Sequence, residues 1–266
     1  MNNTLTDIDI KSIEVNILDY IDAICNEHDI PYFLDYGTLL GAVRHKGFIP
    51  WDDDVDICMK RADYDRFVQI ASQQNKNSRY KILTNDIDPT YHYEFAKVVD
   101  SETILKEDNV LECANMGVWV DIFPKDRLPR LYKLLRIGIV VFFVCRIFSV
   151  YKKFPKKHNK LFYPVWIISK MVGFKPFLKL TSYLCRLGNK NKNSKYLCAL
   201  TSLTSKCYIW DNEIFEESTL LEFEGKKYPA PKLWDKYLSM LYGDYMVIPP
   251  ESKQVHHNIS VMKRYK

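Results

Sequence analysis

Two neighbouring stretches decide the fold of this chain: residues 32–43, YFLDYGTLLGAV, and residues 50–59, PWDDDVDICM. The first begins with a short apolar run that is typical of a buried strand, and Gly37 and Thr38 then indicate a tight turn into a short helix. The second alternates in part between apolar and polar residues over 55–59, which predicts another strand. Because alternate residues of a strand point to one face, the side chains of Asp54 and Asp56 can project together.

This pair of carboxylates predicts a metal site. Two carboxylates held that close repel each other, and a divalent cation such as Mg²⁺ relieves the repulsion while also binding phosphate oxygens. Gly37 lets a phosphate approach the backbone, and the Thr38 hydroxyl can donate a hydrogen bond to it. The alternative is that residues 52–56 form a solvated acidic loop, as most acidic runs do.

A third acid would complete the coordination or take the proton from an attacking hydroxyl. The best candidate is Asp121, which lies inside the apolar run of residues 118–123. A carboxylate buried there costs several kcal/mol unless it is paired or bound to metal. If Asp121 has no partner, its removal should not much lower the melting temperature of the metal-free protein.

The segments around these stretches predict a sheet flanked by helices over residues 1–124. Isoleucines recur at steps of three and four from Ile10 to Ile24 and predict a first helix, with Asp7 as its N-cap and an end near His28, ahead of Pro31. A further helix is expected over 61–74, and strands over 80–83, 93–99 and 118–123. Nearer the C-terminus we expect a hairpin at 223–228 and a helix over 234–241 that ends at Gly243.

Charge is distributed unevenly along the 266 residues. The net charge is +5, but residues 125–195 hold 18 Lys and Arg against the single acid Asp126, a net of +17. Such a block is typical of a segment that binds a polyanion. Two apolar runs within it, residues 137–145 and 161–169, are shorter than the roughly 18 apolar residues that a spanning helix needs. We expect interfacial helices on an anionic membrane surface, and a buried helical pair with solvated ends is the alternative.

The composition excludes several classes of protein. Hydrophobic residues make up 47% and aromatic residues 14%, so disorder is not the dominant state. The sequence contains no Gly-rich phosphate loop of the Walker or dinucleotide-binding type. Seven cysteines without a CxxC pair argue against a disulfide framework or a zinc ribbon and fit a reducing cytoplasm. Because the N-terminus also lacks the pattern of a signal peptide, we expect a cytoplasmic protein, peripheral on the inner face of the cell membrane.

The acidic motif and several later segments resemble the LicD family, which includes bacterial phosphocholine transferases and is related to fukutin-type sugar-phosphate transferases. The matching segments are residues 36–45 (YGTLLGAVRH), 48–57 (FIPWDDDVDI), 95–97 (FAK), 120–124 (VDIFP), 237–238 (YL), 242–246 (YGDYM) and 249–250 (PP). The resemblance spans about residues 30–126 and 220–258. The basic middle of the chain matches nothing in it.

The resemblance implies a nucleotidyltransferase-like fold, in which a Gly-[Ser/Thr] turn faces an Asp-x-Asp strand. Together with the predicted elements, we expect an α+β fold, a mixed sheet flanked by helices with the basic middle as a helical insertion. We therefore divide the chain into a catalytic core over residues 1–126, an insertion over 127–205 and a C-terminal segment over 206–266 that completes the catalytic domain.

The same resemblance assigns the site residues. It implies that Asp54, Asp56 and Asp121 bind Mg²⁺ or Mn²⁺ and carry catalysis, with Asp121 either the third ligand or the base. Gly37 and Thr38 are expected to bind substrate. Two bases in matching segments, Arg44 and Lys97, could neutralise phosphate charge.

The leading functional hypothesis is a metal-dependent phosphotransferase. It would move a phospho-group from a CDP-linked donor to a hydroxyl of a cell-surface glycan or its lipid-linked precursor, as in the modification of lipopolysaccharide, teichoic acid or capsule. Phosphocholine is the group that the resemblance implies, and ribitol phosphate and glycerol phosphate stay open. The alternative enzyme is a nucleotidyltransferase, which would transfer a nucleoside monophosphate and release pyrophosphate.

A hypothesis from another class is nucleic-acid binding through the basic middle. Proteins bind single-stranded nucleic acids with aromatic side chains interleaved with lysines and arginines. This segment has apolar runs instead of such a pattern. We therefore expect no nucleic-acid partner.

Overall fold

The computed structural model describes residues 4–106, 109–155, 158–199, 208–250, 254 and 260–263. Its α-helices are α1 (Asp7–Glu27), α2 (Tyr36–His45), α3 (Arg61–Gln74), α4 (Tyr132–Val150), α5 (Tyr163–Val172), α6 (Phe174–Arg186) and α7 (Trp234–Tyr242). Its strands are β1 (Phe33–Leu34), β2 (Asp56–Lys60), β3 (Tyr80–Leu83), β4 (Ala96–Asp100), β5 (Thr103–Lys106), β6 (Trp119–Arg127), β7 (Tyr196–Ala199), β8 (Tyr208–Asp211), β9 (Ser218–Phe223), β10 (Lys226–Pro231) and β11 (Ser260–Lys263).

The central sheet is mixed and has the order β1-β2-β6-β4-β3. β2 and β6 run parallel, whereas β1 with β2, β6 with β4, and β4 with β3 pair antiparallel. Beyond this path β7 pairs with the end of β6, and β8 pairs with β7. The predicted fold class, an α+β fold with a mixed sheet flanked by helices, is confirmed.

The first helix covers the sheet with the apolar stripe that the isoleucine spacing predicts. α1 packs against β4 and β6 and buries Ile17, Leu18 and Ile21. Its N-cap, however, is Thr6 and not Asp7: the Thr6 hydroxyl accepts a hydrogen bond from the Asp9 N–H, and the Asp9 carboxylate accepts one from the Thr6 N–H. Thr6 takes this position because an acid three residues later completes a capping box.

Most other elements lie close to their predicted bounds. The helix over 61–74 and the strand over 80–83 are observed as α3 and β3. The hairpin is β9 and β10, and α7 ends at Gly243. The second helix begins at Tyr36, before the predicted Gly37–Thr38 turn, because the Asp35 side chain caps it by accepting a hydrogen bond of 3.0 Å from the Tyr36 N–H.

The basic middle of the chain forms α4, α5 and α6, which pack on one another. Residues 137–145 lie in α4, and most of residues 161–169 lie in α5. Within the described ranges, none of the helices combines the length and apolarity that crossing a bilayer requires. β7, from the far end of the range predicted as an insertion, joins the sheet beside β6. The division of the chain at residues 126 and 205 stays a prediction.

Candidate active site

Three predicted site residues lie in one row across the sheet. Asp56 on β2 is the register partner of Asp121 on β6, and Asp121 is the register partner of Lys97 on β4. Register partners on paired strands point to the same face, so the three side chains are neighbours. The parallel pairing of β2 and β6 thus joins two acids that are 65 residues apart in sequence.

Lys97 and Asp121 form a buried ion pair. The Lys97 ammonium donates to Asp121 Oδ1, and both side chains are largely buried. The ammonium also lies near the ring centroids of Trp119 at 4.4 Å, Tyr93 at 4.9 Å and Phe95 at 5.2 Å. Lys97 was predicted to neutralise a phosphate, and the structure gives it a carboxylate partner inside the protein.

The Gly37–Thr38 segment lies in the first turn of α2, directly against the acidic strand. The Thr38 hydroxyl accepts a hydrogen bond of 2.8 Å from the Asp56 backbone N–H. A Cβ on residue 37 would stand 2.5 Å from Asp52 Oδ2, so a larger residue here would push this carboxylate away from the helix. The two residues therefore position Asp56 and Asp52 in addition to any contact with substrate.

The acidic run closes into a cluster in front of β2. Carboxylate oxygens of Asp52, Asp53 and Asp54 lie within 4.8 Å of one another, a spacing that would suit a shared metal ion. Asp54 belongs both to this cluster and to the predicted trio with Asp56 and Asp121. Asp56 and Asp121 lie in the sheet behind it.

Crowding and burial shift the protonation of these acids. Burial raises the pKa of Asp56 well above its ordinary value, and the charges of Asp54 and Asp121 raise it further. Burial also raises the pKa of Asp121, although Lys97 opposes the effect. A concentration of carboxylates in a poorly solvated place favours a bound cation.

Glu14 on α1 is a further acid of this region that the sequence analysis missed. It is buried, and its Oε2 has no hydrogen-bond partner. Burial raises the pKa of Glu14 well above its ordinary value, and the next largest causes are the charges of Asp54 and Asp53. A charged residue one turn from Ile10 and Leu18, inside the buried stripe of α1, was the signal that could have revealed it.

Asp52, Asp54 and Asp56 face a cleft with a cavity volume of about 510 Å³. Its lining combines residues from the acidic motif and α2 with residues at and after the end of α7: Tyr36, Gly37, Leu40, Arg44, Ile49, Trp51, Asp52, Asp54, Asp56, Tyr242, Asp244, Tyr245, Val247 and Pro249. Arg44 joins the two parts, because its Nη1 donates to the Tyr245 carbonyl oxygen at 2.9 Å. The C-terminal segment therefore contributes to the cleft, as its resemblance to the LicD family implies.

A second buried network holds the turn before α2. Lys125 Nζ lies 2.6 Å from Asp35 Oδ2, and the Tyr237 hydroxyl donates to Asp35 Oδ1. Since Asp35 is the N-cap of α2, this network links α2, β6 and α7. Its members come from three distant segments, so no local sequence pattern predicts them.

Asp126, the acid that follows the VDIFP motif, has a structural partner. It accepts two hydrogen bonds from Arg61, at 2.7 and 2.8 Å, and one from Asn189 at 2.6 Å. These contacts attach α3 and the turn that follows α6 to β6. Residues 251–253 and 255–258, the end of the predicted C-terminal resemblance, lie outside the described residues.

Several known proteins are similar to this chain in sequence. The family model "LicD/FKTN/FKRP, nucleotidyltransferase domain" matches residues 29–125. The lipopolysaccharide cholinephosphotransferase LicD of Haemophilus influenzae is 33% identical over 254 residues, which cover 92% of this chain and 93% of that protein. An uncharacterized protein of Rickettsia typhi is 45% identical over 64 residues, which cover 24% of this chain and 20% of that protein. An uncharacterized protein of Rickettsia prowazekii is 32% identical over 106 residues, which cover 40% of this chain and 36% of that protein.

The long match includes more than the acidic motif. An alignment over 92% of the chain runs through most of residues 127–205, the segment for which the motif comparison found no counterpart. The family model in turn covers the α2 turn, the acidic strand and Asp121, the residues that meet in the cleft and beside it. The chain therefore belongs to the LicD family.

Proposed function

We propose that this chain is a metal-dependent phosphotransferase that moves phosphocholine from a CDP-linked donor to a hydroxyl of a cell-surface glycan or of its lipid-linked precursor. The family relation supports a transferase, and the name of the Haemophilus relative specifies choline phosphate and lipopolysaccharide. The observation that carries the proposal is the row of Asp56, Asp121 and Lys97, which lies behind the carboxylate cluster at a cleft of about 510 Å³.

The residues at this cleft fit Mg²⁺ or Mn²⁺. They offer carboxylate oxygens, which hard divalent cations prefer, and their mutual repulsion needs a countercharge. We propose Asp54 and Asp56 as ligands, with Asp52 and Asp53 close enough to contribute. A bound ion would offset the charge that develops on the departing nucleotide.

The proposed reaction exchanges one P–O bond for another. The acceptor hydroxyl oxygen forms a bond to the phosphorus that carries choline, and the bond from this phosphorus to the bridging oxygen breaks as CMP leaves with the electron pair. The hydroxyl proton passes to a carboxylate. Asp121 is the candidate for that role, because the ammonium of Lys97 fixes its orientation. Asp121 as a third ligand is the alternative.

Product analysis tests the proposal. The protein is incubated with Mg²⁺, an oligosaccharide acceptor and CDP-choline, CDP-ribitol or CDP-glycerol, and in a separate reaction with CTP. CMP together with a phosphocholine-bearing acceptor supports the proposal, whereas pyrophosphate from CTP supports a nucleotidyltransferase. Failure of all three CDP donors to yield CMP refutes it. The Asp56→Asn variant is the matched control for contaminating activity.

We also propose that α4 and α5 dock on the anionic inner face of the cell membrane. One face of α4 exposes Leu134 by 67% and Ile137 by 65%, and α5 exposes Met171 by 82%. Exposed lysines, including Lys133 and Lys160, lie among them. Apolar side chains that insert and bases that attract anionic headgroups are the two contributions that hold an interfacial helix on a bilayer. Such docking would bring the cleft to a lipid-linked acceptor.

A further inference from the structure

A second cavity, with a volume of about 270 Å³, lies next to the acidic cleft, and Tyr36 lines both. Aromatic rings form much of its wall: Tyr36, Phe95, Phe123 and Phe143. Phe123 follows Asp121 by two residues on β6, so both side chains project from the same face of the strand, about 7 Å apart. A group in this cavity would therefore be within reach of a phosphate held at the acidic cleft.

The wall of this cavity carries balanced charge. The charged residues of the wall are Arg61, Lys125, Glu94 and Asp126, and each has a partner of opposite sign. Arg61 pairs with Asp126 at 2.7 Å within the wall, Lys125 pairs with Asp35 at 2.6 Å, and Glu94 pairs with Arg146 at 2.7 Å. The cavity consequently offers aromatic surface and neutralised ion pairs, which suits an organic cation that forms no N–H hydrogen bonds.

We infer that this cavity binds the trimethylammonium head group of the donor, an inference that rests on the proposed function. A quaternary ammonium is bulky, weakly hydrated and attracted to ring faces. A polyol such as glycerol or ribitol would instead need a hydrogen-bond partner for each buried hydroxyl. The residues of the wall that carry a hydroxyl are Tyr36, Thr181 and Ser182, and its charged groups are already engaged in ion pairs, which leaves few hydrogen-bond partners for a polyol.

One further observation agrees with a ligand at this place. The sizes of the two cavities match a division of the donor. The larger cleft, lined by Trp51 and Tyr242, has room for the nucleotide, and the smaller cavity suits a compact head group.

The test compares choline with its uncharged isostere, in which carbon replaces nitrogen. Binding of CDP-choline and of CDP-3,3-dimethylbutanol is measured by calorimetry on the full chain, and turnover is measured in parallel. The parent should prefer CDP-choline by about three- to tenfold, the range that one cation–π contact supplies. Phe143→Leu keeps apolar volume but removes a ring, so it should bring the two affinities close together. The matched control is Phe162→Leu, which alters an aromatic side chain of the same insertion that is 47% exposed and should leave the preference intact.

A second variant guards against misfolding of the first. Thr181→Leu adds side-chain volume to the wall of the cavity, so it should weaken CDP-choline binding severalfold and leave CMP binding unchanged. The inference is overturned if both variants keep the parent's preference for choline, or if the parent binds CDP-glycerol or CDP-ribitol more tightly than CDP-choline. Calorimetry separates this result from failure of the proposed function, because the head-group preference can be measured even where no CMP is released.

Discussion

Replacement of Asp121 by Ala should destabilise the metal-free protein. A buried carboxylate without a partner would predict the opposite, because its removal would end an unfavourable burial. Asp121, however, accepts a hydrogen bond from Lys97, and the Lys97 side chain is itself buried. The Ala variant therefore leaves an ammonium group in the interior without its carboxylate.

Removal of one partner from a buried ion pair lowers the free energy of unfolding by about 3–5 kcal/mol. The rings of Trp119, Tyr93 and Phe95 stay around Lys97 after the substitution and continue to stabilise its charge, so we expect the lower end, about 3 kcal/mol. For a chain of this size such a loss lowers the melting temperature by about 6–12 °C. Turnover should fall by about 10²-fold or more, because the same carboxylate is the proposed base or ligand.

The assay is thermal unfolding in EDTA at neutral pH, followed by circular dichroism and repeated on the Lys97→Met/Asp121→Ala double variant. The double variant removes both charges and should regain most of the lost stability, while its activity stays low. As the matched control, Glu217→Ala removes one partner of the exposed pair with Lys232 and should change the free energy of unfolding by less than about 1 kcal/mol. If Asp121→Ala melts within about 2 °C of the parent, or if the double variant is the least stable, the ion pair does not stabilise the fold and the reasoning fails.

The remaining predictions concern charge, pH and the membrane surface. Asp56→Asn should abolish turnover and weaken Mn²⁺ binding in calorimetry, yet raise the melting temperature of the metal-free protein because it removes a crowded carboxylate; unchanged Mn²⁺ affinity would exclude Asp56 as a ligand. Glu14→Gln should stabilise the metal-free protein by about 1 kcal/mol, a rise of a few degrees in its melting temperature, because it removes a buried carboxylate. It should also lower Mn²⁺ affinity severalfold, since Glu14 interacts electrostatically with Asp54 and Asp53. A loss of stability would make Glu14 a structural residue. Burial lowers the pKa of His92 from its ordinary 6.5 to about 4, so the unfolded chain binds a proton that the folded protein resists. Protonation of His92 in the unfolded chain should therefore lower the free energy of unfolding by up to about 3 kcal/mol as the pH falls from 6.5 to 4. Urea unfolding of the His92→Gln variant should lack this part of the pH dependence. Leu134→Glu/Ile137→Glu should reduce sedimentation with phosphatidylserine-containing vesicles while transfer to a soluble oligosaccharide is retained, and equal sedimentation would contradict docking through α4.

Local patterns in the sequence were sufficient to predict much of the fold. The step of three and four residues along α1 and the short strand-like run of residues 80–83 each depend on which residues are buried within one element. The acidic motif predicted that Asp54 and Asp56 project together, and both side chains line the cleft, although β2 begins only at Asp56. Asp121 was predicted from its place in the apolar run of residues 118–123, and the resemblance to the LicD family connected it to the other two acids.

What the sequence did not predict depends on pairing between distant segments. The register of β4 on β6 decides that Lys97 meets Asp121, and neither strand carries a signal for that register beyond its own apolar face. Glu14 was missed for a different reason. Its position in the apolar stripe was visible, but a charge in such a stripe was not weighed against the acids that the fold places nearby.

A single strand explains why the proposed site tolerates so much buried charge. On β6 the residues at 121, 123 and 125 point to one face, because side chains of a strand alternate. Asp121 meets Lys97 and Asp56, Phe123 lines the aromatic cavity, and Lys125 holds Asp35 at the start of α2. A slip of one residue in the pairing of β6 would turn all three to the other face and separate every charge from its partner. The ion pairs therefore fix the register of β6, and that register places the acidic cleft beside the aromatic cavity.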